Sequence, residues 1–309
     1  TPNGKRAAGV EVRMGSGGVL NFNASREVIL SAGSIGSPQI LQLSGIGPGQ
    51  LLNSKGIRVI HDLPGVGENL QDHLQVRSVY KVENTVTLNQ RANSLFGKIM
   101  MGLQYMAFKT GPLTMPPSQL GAFAKSDPYQ SSPNIEWHVQ PLSLDKFGEP
   151  LHRYNAITPS VCNLRPSSRG HIRIKSPDAI VSPGITLNYL STEEDRRVAV
   201  EGIRFTRRIM SAPALSKYRP TEVKPGPDLN NTEELLHAAA ELGTTIFHPV
   251  GTCKMGNDPM AVVNDRLLVH GIGGLRVIDA SIMPRITSGN TNAPTVMIAE
   301  KGAKFIQEG

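Results

Sequence analysis

The stretch EVILSAGSIGSPQILQLSG, residues 27–45, decides the fold class. It opens on a short continuous apolar run that ends in small residues at Ala32 and Gly33, which is typical of a buried strand. Ser37 and Pro38 then introduce a second apolar run, and this predicts a helix with Ser37 as N-cap and Pro38 in the first turn. A strand, a glycine turn and a helix in this order indicate an α/β unit.

Further along the chain the texture changes. From about residue 75, strand-like runs such as 135–139 and 171–175 alternate with clusters of Pro, Ser and Gly, which predicts a second, largely antiparallel domain. Capping patterns within this region open two helices, at 191–210 and 231–242.

The end of the chain resembles its beginning. Glycines and small residues return, a strand is predicted at 274–279, and a helix follows Asn292. The fold class expected is therefore α/β plus antiparallel β. One discontinuous domain takes residues 1–74 and 244–309, and an antiparallel domain takes residues 75–243.

The composition is that of an ordinary globular chain. Hydrophobic residues make up 39% and charged residues 18% of the 309, and two cysteines are too few for a disulfide framework. The formal net charge is +7, but the basic residues are scattered, with neither zinc-finger spacing nor aromatic-basic interleaving, which disfavours nucleic-acid binding. No apolar run approaches the roughly 20 residues of a transmembrane helix, so the expected location is soluble or peripheral to a membrane. The turn-like start at Thr1 is interpreted as that of a fragment or processed piece.

Residues 244–256, TTIFHPVGTCKMG, contain a candidate catalytic histidine. His248 precedes Pro249, which restricts its backbone, and a fixed imidazole suits general-base chemistry near neutral pH. A lone histidine is more often a packed or surface residue, and this segment alone leaves that alternative open. The turn at Gly33 leaves two alternatives as well: a close approach of backbone to a cofactor, or a tight structural turn.

Residues 275–301 contain a second candidate element, the start of a helix. Asn292 is a good N-cap and Pro294 falls in the first turn, so backbone N–H groups such as that of Thr295 are expected to point outward at the positive end of the helix dipole. Such an end suits an anion. A plain capped helix, packed through Val296 and Ile298, is the alternative.

Together these segments resemble the glucose-methanol-choline (GMC) oxidoreductases. The second signature of that family is matched from Ser34 through Pro38 and on to residues 44–47 (SGIG), and the similarity continues through residues 65–73 (GVGENLQDH). The resemblance spans essentially the whole chain and is strongest at both ends. Choline dehydrogenase-like and alcohol dehydrogenase-like members are the most similar in character.

The resemblance implies a set of site residues. His248 is the catalytic base, and Asn292 takes the second active-site position, where other members have histidine. His138 resembles a substrate-site histidine of choline-oxidising members, although Glu136, His138 and Gln140 could also line the solvent face of a strand. The residues implied to contact FAD are Ala32 and Gly33 near the adenosine, Asp279 and Ala280 along the ribityl chain and pyrophosphate, and Asn292, Ala293 and Thr295 at the pyrimidine edge. No metal site is expected.

One family feature does not occur in these 309 residues. No G-x-G-x-x-G followed by a ribose-binding acid is present, and residues 45–49 (GIGPG) come after a helix rather than between a strand and a helix. The expected architecture is therefore an incomplete, Rossmann-like FAD-binding domain at 1–74 and 244–309, with a substrate-binding domain on an antiparallel sheet at 75–243.

The implied function is FAD-dependent oxidation of a small-molecule alcohol to an aldehyde or ketone, with hydride passing to flavin N5 and with oxygen or a quinone as electron acceptor. Two alternatives remain at this point. One is a flavin-containing enzyme similar to hydroxynitrile lyases, and the other is an inactive fragment that binds no cofactor. The sequence leaves open which alcohol is oxidised, how FAD is attached and the oligomeric state.

Overall fold

The computed structural model describes residues 5–15, 17–116, 118–146 and 148–308. The strands in chain order are β1 (Gly9–Arg13), β2 (Val19–Asn23), β3 (Val28–Leu30), β4 (Ile46–Gly47), β5 (His61–Asp62), β6 (Leu74–Arg77), β7 (Val79–Lys81), β8 (Leu120–Ala124), β9 (Ile135–Gln140), β10 (Ala156–Asn163), β11 (His171–Arg173), β12 (Gly184–Thr186), β13 (Thr221–Lys224), β14 (Gly243–Thr245) and β15 (Leu275–Val277). The α-helices are α1 (Gly33–Leu43), α2 (Gly49–Ser54), α3 (Leu88–Asn93), α4 (Leu95–Phe108), α5 (Glu193–Met210), α6 (Thr232–Leu242) and α7 (Asn292–Glu308), and short 3-10 helices lie at Pro112–Thr114, Pro213–Tyr218 and Ala280–Ile282.

The chain divides into two compact units. Unit 1 comprises residues 1–72, 168–189 and 247–309, and unit 2 comprises residues 73–167 and 190–246. The sequence placed the outer boundaries within three residues of these positions. It assigned residues 168–189 to the middle domain, whereas they belong to unit 1.

Buried hydrogen bonds explain why residues 168–189 belong to unit 1. They form the antiparallel hairpin β11–β12, which lies against α1. The buried amide of Gln42 donates to the carbonyl of Ile172 at 3.0 Å and accepts from the backbone N–H of Ile174 at 2.9 Å. An alternating pattern in sequence shows that a segment is a strand, but not which core its buried face joins.

Unit 1 is built on the strand and helix that open the sequence argument. β3 pairs in parallel with β15, with Leu275 opposite Val28, and α1 begins at Gly33 directly after β3. The N-cap position is Ala32, so the prediction of Ser37 as N-cap is wrong; Ser37 lies inside the helix and is fully buried. Gly33 has a φ of +74°, a backbone conformation that glycine adopts at little cost. The chain therefore turns from strand to helix at Gly33, four residues earlier than the predicted start at Ser37.

Unit 2 is an antiparallel sheet with two helices on one face. The strand order is β13-β7-β10-β6-β14, and β9 extends the sheet by pairing with β10 and β8, which confirms the antiparallel sheet expected from the sequence. The apolar face packs Ile135, Trp137 and Val161 against Ile203 of α5 and Leu235 of α6.

The helices of unit 2 begin close to where the sequence predicts. α6 has a full capping box, with Asn231 and Glu234 bonding each other's backbone N–H groups, as predicted. α5 begins one residue later than its capping pattern indicated, because Thr192 rather than Ser191 is the N-cap and accepts from the N–H of Asp195. Among the described residues, no helix is both long and apolar enough to cross a bilayer.

Candidate active site

The buried carboxylate of Asp279 joins the parallel strands β3 and β15 of unit 1 where they end. One oxygen accepts hydrogen bonds from the backbone N–H of Gly33 at 3.0 Å and from Ser37 Oγ at 2.6 Å. The other oxygen accepts from the backbone N–H of Ser281 at 2.8 Å. Asp279 follows β15 and Gly33 follows β3, so this single side chain fixes the relative position of two segments that the sequence connected with a cofactor.

The same network sets the electrostatics of the α1 N-terminus. A helix N-terminus carries partial positive charge and unpaired N–H groups, and here the carboxylate of Asp279 already meets them through Gly33. A phosphate placed there would face an anion. The turn at Ala32 and Gly33 therefore suits an uncharged part of a ligand, and a Cβ built on Gly33 would meet no atom within 4 Å.

The His248 segment docks on both of these turns. The N–H groups of Gly251 and Cys253 donate to the carbonyls of Ala280 and Ser281, at 3.4 and 2.9 Å. Thr252 Oγ1 donates to the carbonyl of Ser34 at 2.6 Å. Proline at position 38 of α1 has no N–H for that carbonyl, so the threonine hydroxyl satisfies a group that the helix leaves unpaired.

His248 itself is held through its backbone. Its N–H donates to Asp72 Oδ1 at 2.9 Å, and Asp72 Oδ2 accepts a hydrogen bond from Tyr189 Oη. Asp72 is only 3% exposed. The preceding residue, Phe247, has a φ of +64°, an uncommon conformation for a bulky side chain, and the following Pro249 restricts the other flank. The imidazole therefore projects from a rigid stretch of chain.

One side chain hydrogen-bonded to the His248 ring is that of Asn290. Its Nδ2 lies 3.4 Å from His248 Nε2, and it stands two positions before Asn292, the partner implied by the resemblance. Asn292 opens α7 and is exposed. The expectation that the Thr295 N–H points outward is wrong, because it donates to the carbonyl of Thr291 at 3.1 Å. The first bonded turn of α7 thus begins at Thr291, which leaves Asn292 and Ala293 in the part of the helix whose N–H groups have no intrahelical partner.

Sequence reasoning missed the residues that brace this arrangement. The amide of Asn69 donates to the carbonyls of Gly251 and Pro284 at 3.1 and 3.3 Å. Gln71 exchanges backbone hydrogen bonds with Val250, and its side chain donates to Pro284 at 3.2 Å. Asn69, Gln71 and Asp72 thereby tie the histidine loop to the loop that leads into α7. The sequence around Asn69, Gln71 and Asp72 has no periodic pattern that would predict these contacts, because the partners of Asn69 and Asp72 lie about 180 residues further along the chain.

Unit 2 carries the other predicted site residue, His138, on the polar face of its sheet. Glu136 and Gln140 on that face are only 3% and 6% exposed, and the side chain of His138 is 16% exposed. The alternative that these residues line a solvent face is therefore wrong. His138 Nε2 lies 3.5 Å from Glu136 Oε1 without hydrogen-bond geometry, and Glu136 Oε2 has no hydrogen-bond partner among the described residues.

Glu136, His138 and Cys162 form the one group of potential metal ligands found in the described parts of the chain. One ligand atom from each lies within 4.8 Å of the others. Ser160 pairs with both His138 and Arg77 in the sheet register, so the Arg77 side chain shares this face, and burial lowers the pKa of its guanidinium. A buried cation on the same face disfavours a second one. The expectation of no metal site remains a prediction.

The chain matches known proteins along most of its length. Two sequence profiles, each described as GMC oxidoreductase, match residues 1–75 and 166–299, which together are more than half of the chain. The oxygen-dependent choline dehydrogenase of Serratia proteamaculans (strain 568) is 43% identical over 307 residues, which cover 99% of this chain and 55% of that protein. Its counterpart in Pectobacterium carotovorum subsp. carotovorum (strain PC1) is 44% identical over 304 residues, covering 98% and 54%.

Solved structures agree with these matches. The pyridoxine 4-oxidase from Mesorbium loti aligns with a TM-score of 0.84 and 29% identity over 99% of this chain and 56% of that one. A formate oxidase aligns with a TM-score of 0.93 and 28% identity over 100% and 58%. The chain belongs to the GMC oxidoreductase family and has that family's fold, with its antiparallel sheet. It spans about half the length of the curated relatives that it matches.

Proposed function

We propose that this chain is part of an FAD-dependent enzyme that oxidises the CH–OH group of a small alcohol to an aldehyde or ketone. The observation that carries the proposal is the docking of the His248 segment on the carboxyl ends of two parallel strands, through Thr252 on Ser34 and Cys253 on Ser281. Cofactors bind at such strand ends in α/β folds. A rigidly held imidazole at that edge suits a general base for an alcohol oxidised there.

The residues of unit 1 fit FAD. The open turn at Ala32 and Gly33 suits the uncharged adenosine, because Asp279 already occupies the α1 N-terminus. The N–H groups of Asn292 and Ala293, in the first turn at the positive end of α7, suit an electron-rich pyrimidine edge. With Ala280 beside the ribityl chain and the pyrophosphate, and Thr295 supporting the same helix start, these residues would hold the cofactor.

Each residue of the proposed site has a separate task. His248 would accept the hydroxyl proton of the alcohol at its ring, as the carbinol carbon becomes a carbonyl carbon. An asparagine amide, from Asn292 as the resemblance implies or from Asn290 as the contact indicates, would donate a hydrogen bond to the forming alkoxide. His138, which the resemblance implies to be a substrate-site histidine, is proposed to bind the substrate. FAD, when bound, supplies the two-electron acceptor, with flavin N5 as the receiving atom, and oxygen or a quinone would reoxidise it.

We also propose that the FAD-binding domain is incomplete within these residues. The parallel strands in the described part of unit 1 form only two-stranded sheets, β3 with β15 and β4 with β5, whereas parallel sheets are usually larger and covered on both faces. A groove of about 610 Å³ lies beside β3 and is lined by Val28, Leu30 and Ile40 among others. The sequence holds no glycine-rich fingerprint for the pyrophosphate. Additional polypeptide would supply that loop and cover this groove.

Flavin absorbance tests the proposed activity. In the FAD-loaded enzyme, anaerobic addition of an alcohol should bleach the band near ~450 nm that FAD shows as a general property of flavins. Choline is the first substrate to try, because relatives are named choline dehydrogenases. His248→Ala should slow the bleaching about 10²- to 10⁴-fold, while the exposed His237→Ala on α6 should leave it unchanged. An unbleached flavin combined with cyanohydrin cleavage would instead identify a lyase.

A further inference from the structure

Helix α4 presents an unusually apolar surface to solvent. Seven of its large side chains are between 47% and 75% exposed: Leu95, Phe96, Ile99, Met100, Leu103, Met106 and Phe108. No residue of this helix is buried. Contiguous apolar patches of this kind are rare on monomeric proteins and mark surfaces that bind something.

The outward direction of the apolar face follows from helix geometry. At 100° per residue, six of those side chains fall within one arc of about 140°, and Phe108 lies at the end of the helix. Gly97 is on a different side, and a Cβ there would lie 2.1 Å from the carbonyl oxygen of Arg91. The helix therefore packs on α3 through its glycine side and turns its apolar arc away from the protein. An ordinary surface helix has the opposite arrangement.

The charged residues in the chain segment that contains α4 are all positive. The sequence from residue 84 to 126 contains four cations, Arg91, Lys98, Lys109 and Lys125, and no aspartate or glutamate. This segment thus contributes +4 of the net charge of +7. Lys98 lies about 60° outside the apolar arc on the helical wheel, and Lys109 is the C-cap residue of the helix. Their long side chains can reach polar headgroups while the arc is immersed.

We propose that α4 binds peripherally to the surface of an anionic phospholipid bilayer. An interfacial helix needs an apolar face for the acyl boundary and cations for the headgroups, and α4 has both. A second copy of this chain is the less suitable occupant. A two-fold interface would bring this acid-free segment against itself and place like charges together.

Vesicle flotation tests this surface directly. The 309-residue chain should float with vesicles of phosphatidylcholine and phosphatidylglycerol at 3:1, should bind pure phosphatidylcholine several-fold less, and should be released by salt. Met106→Glu should weaken the partition coefficient about tenfold or more, because it replaces an immersed side chain with an anion. Lys98→Gln should weaken it about fivefold on the anionic vesicles alone.

A matched control separates this surface from general stickiness. Met297→Glu makes the same change at a methionine of α7 that is 59% exposed, compared with 66% for Met106, and it should leave flotation unchanged. Circular dichroism should show equal helix content in all variants. Absence of flotation, equal loss in both methionine variants, or a dimer that Met106→Glu dissociates would each overturn the proposal. So would a longer polypeptide containing these residues that no longer floats, because α4 would then be covered by protein.

Discussion

The anchoring of His248 by Asp72 predicts a specific and measurable effect. Asp72 accepts from the His248 N–H at 2.9 Å and from Tyr189 Oη, and at 3% exposure it has almost no access to water. Hydrogen bonds to a charged group contribute about 1.5–3 kcal/mol each. Asp72→Asn keeps the size and one acceptor oxygen but removes the charge. We therefore expect it to lower the free energy of local opening around His248 by about 2 kcal/mol.

Amide hydrogen exchange measures this directly. An effect of about 2 kcal/mol corresponds to a roughly thirtyfold faster exchange of the His248 N–H where the chain recloses faster than the opened amide exchanges. Global fluorescence would be a poor substitute, because the single tryptophan, Trp137, lies in unit 2. Tyr189→Phe should accelerate exchange at His248 as well, while Tyr129→Phe, at a side chain 95% exposed, should have no effect.

The double variant decides whether the three groups act as one unit. Asp72→Asn and Tyr189→Phe both weaken the hydrogen bond from Tyr189 Oη to the Asp72 side chain. Once one substitution has removed this bond, the other cannot remove it again. Their combined effect on opening should therefore fall short of the sum by at least about 0.5 kcal/mol. Simple additivity, or unchanged exchange at His248 in Asp72→Asn, would refute the idea that Asp72 positions the histidine.

Three further outcomes are expected. In the FAD-loaded enzyme, whichever of Asn290→Ala and Asn292→Ala slows flavin reduction more identifies the amide that holds the alkoxide, and equal wild-type rates would exclude both. The 309-residue chain alone should bind FAD weakly in a fluorescence titration, whereas stoichiometric FAD after purification would contradict the proposed incompleteness. Burial and the neighbouring Glu222 raise the pKa of Tyr80 above its ordinary value of 10.0. The unfolded state therefore releases this proton first, and the free energy of unfolding should fall as pH rises above about 10; Tyr80→Phe should reduce that slope in alkaline urea titrations.

Local signals in the sequence predicted local structure well. The capping box of α6 was found at Asn231 and Glu234 because both partners lie within one turn. The strand before Gly33 was found because a short apolar run that ends in small residues is typical of a buried strand. In such patterns the interacting residues lie close together in the sequence, so a single short stretch is sufficient to recognise them.

Predictions failed where the deciding partner lies far along the chain. Ser37 is a residue type favoured at N-cap positions, but the helix begins earlier. The carboxylate of Asp279, 242 positions beyond Ser37, accepts hydrogen bonds from Ser37 Oγ and from the N–H of Gly33 at the start of α1. Residues 168–189 have the texture of the middle domain, yet Gln42 joins their hairpin to α1 over 130 positions. Neither contact produces a periodic pattern in the amino-acid sequence from which it could be predicted. A tertiary hydrogen bond to a buried charge outweighs a local capping preference, which contributes about 1 kcal/mol.

The same long-range contacts explain why small and polar residues crowd residues 31–38. That stretch must receive two separate segments at once: the carboxylate of Asp279, which follows β15, on Gly33 and Ser37, and the hydroxyl of Thr252 on Ser34. Larger side chains at the buried positions Ser34 and Ser37 would hold the segments apart. The motif that first suggested a cofactor turn therefore also assembles the frame around His248. Because one set of contacts serves both ends, damage at the α1 turn should be transmitted through Asp279 and Thr252 to the loop that carries His248.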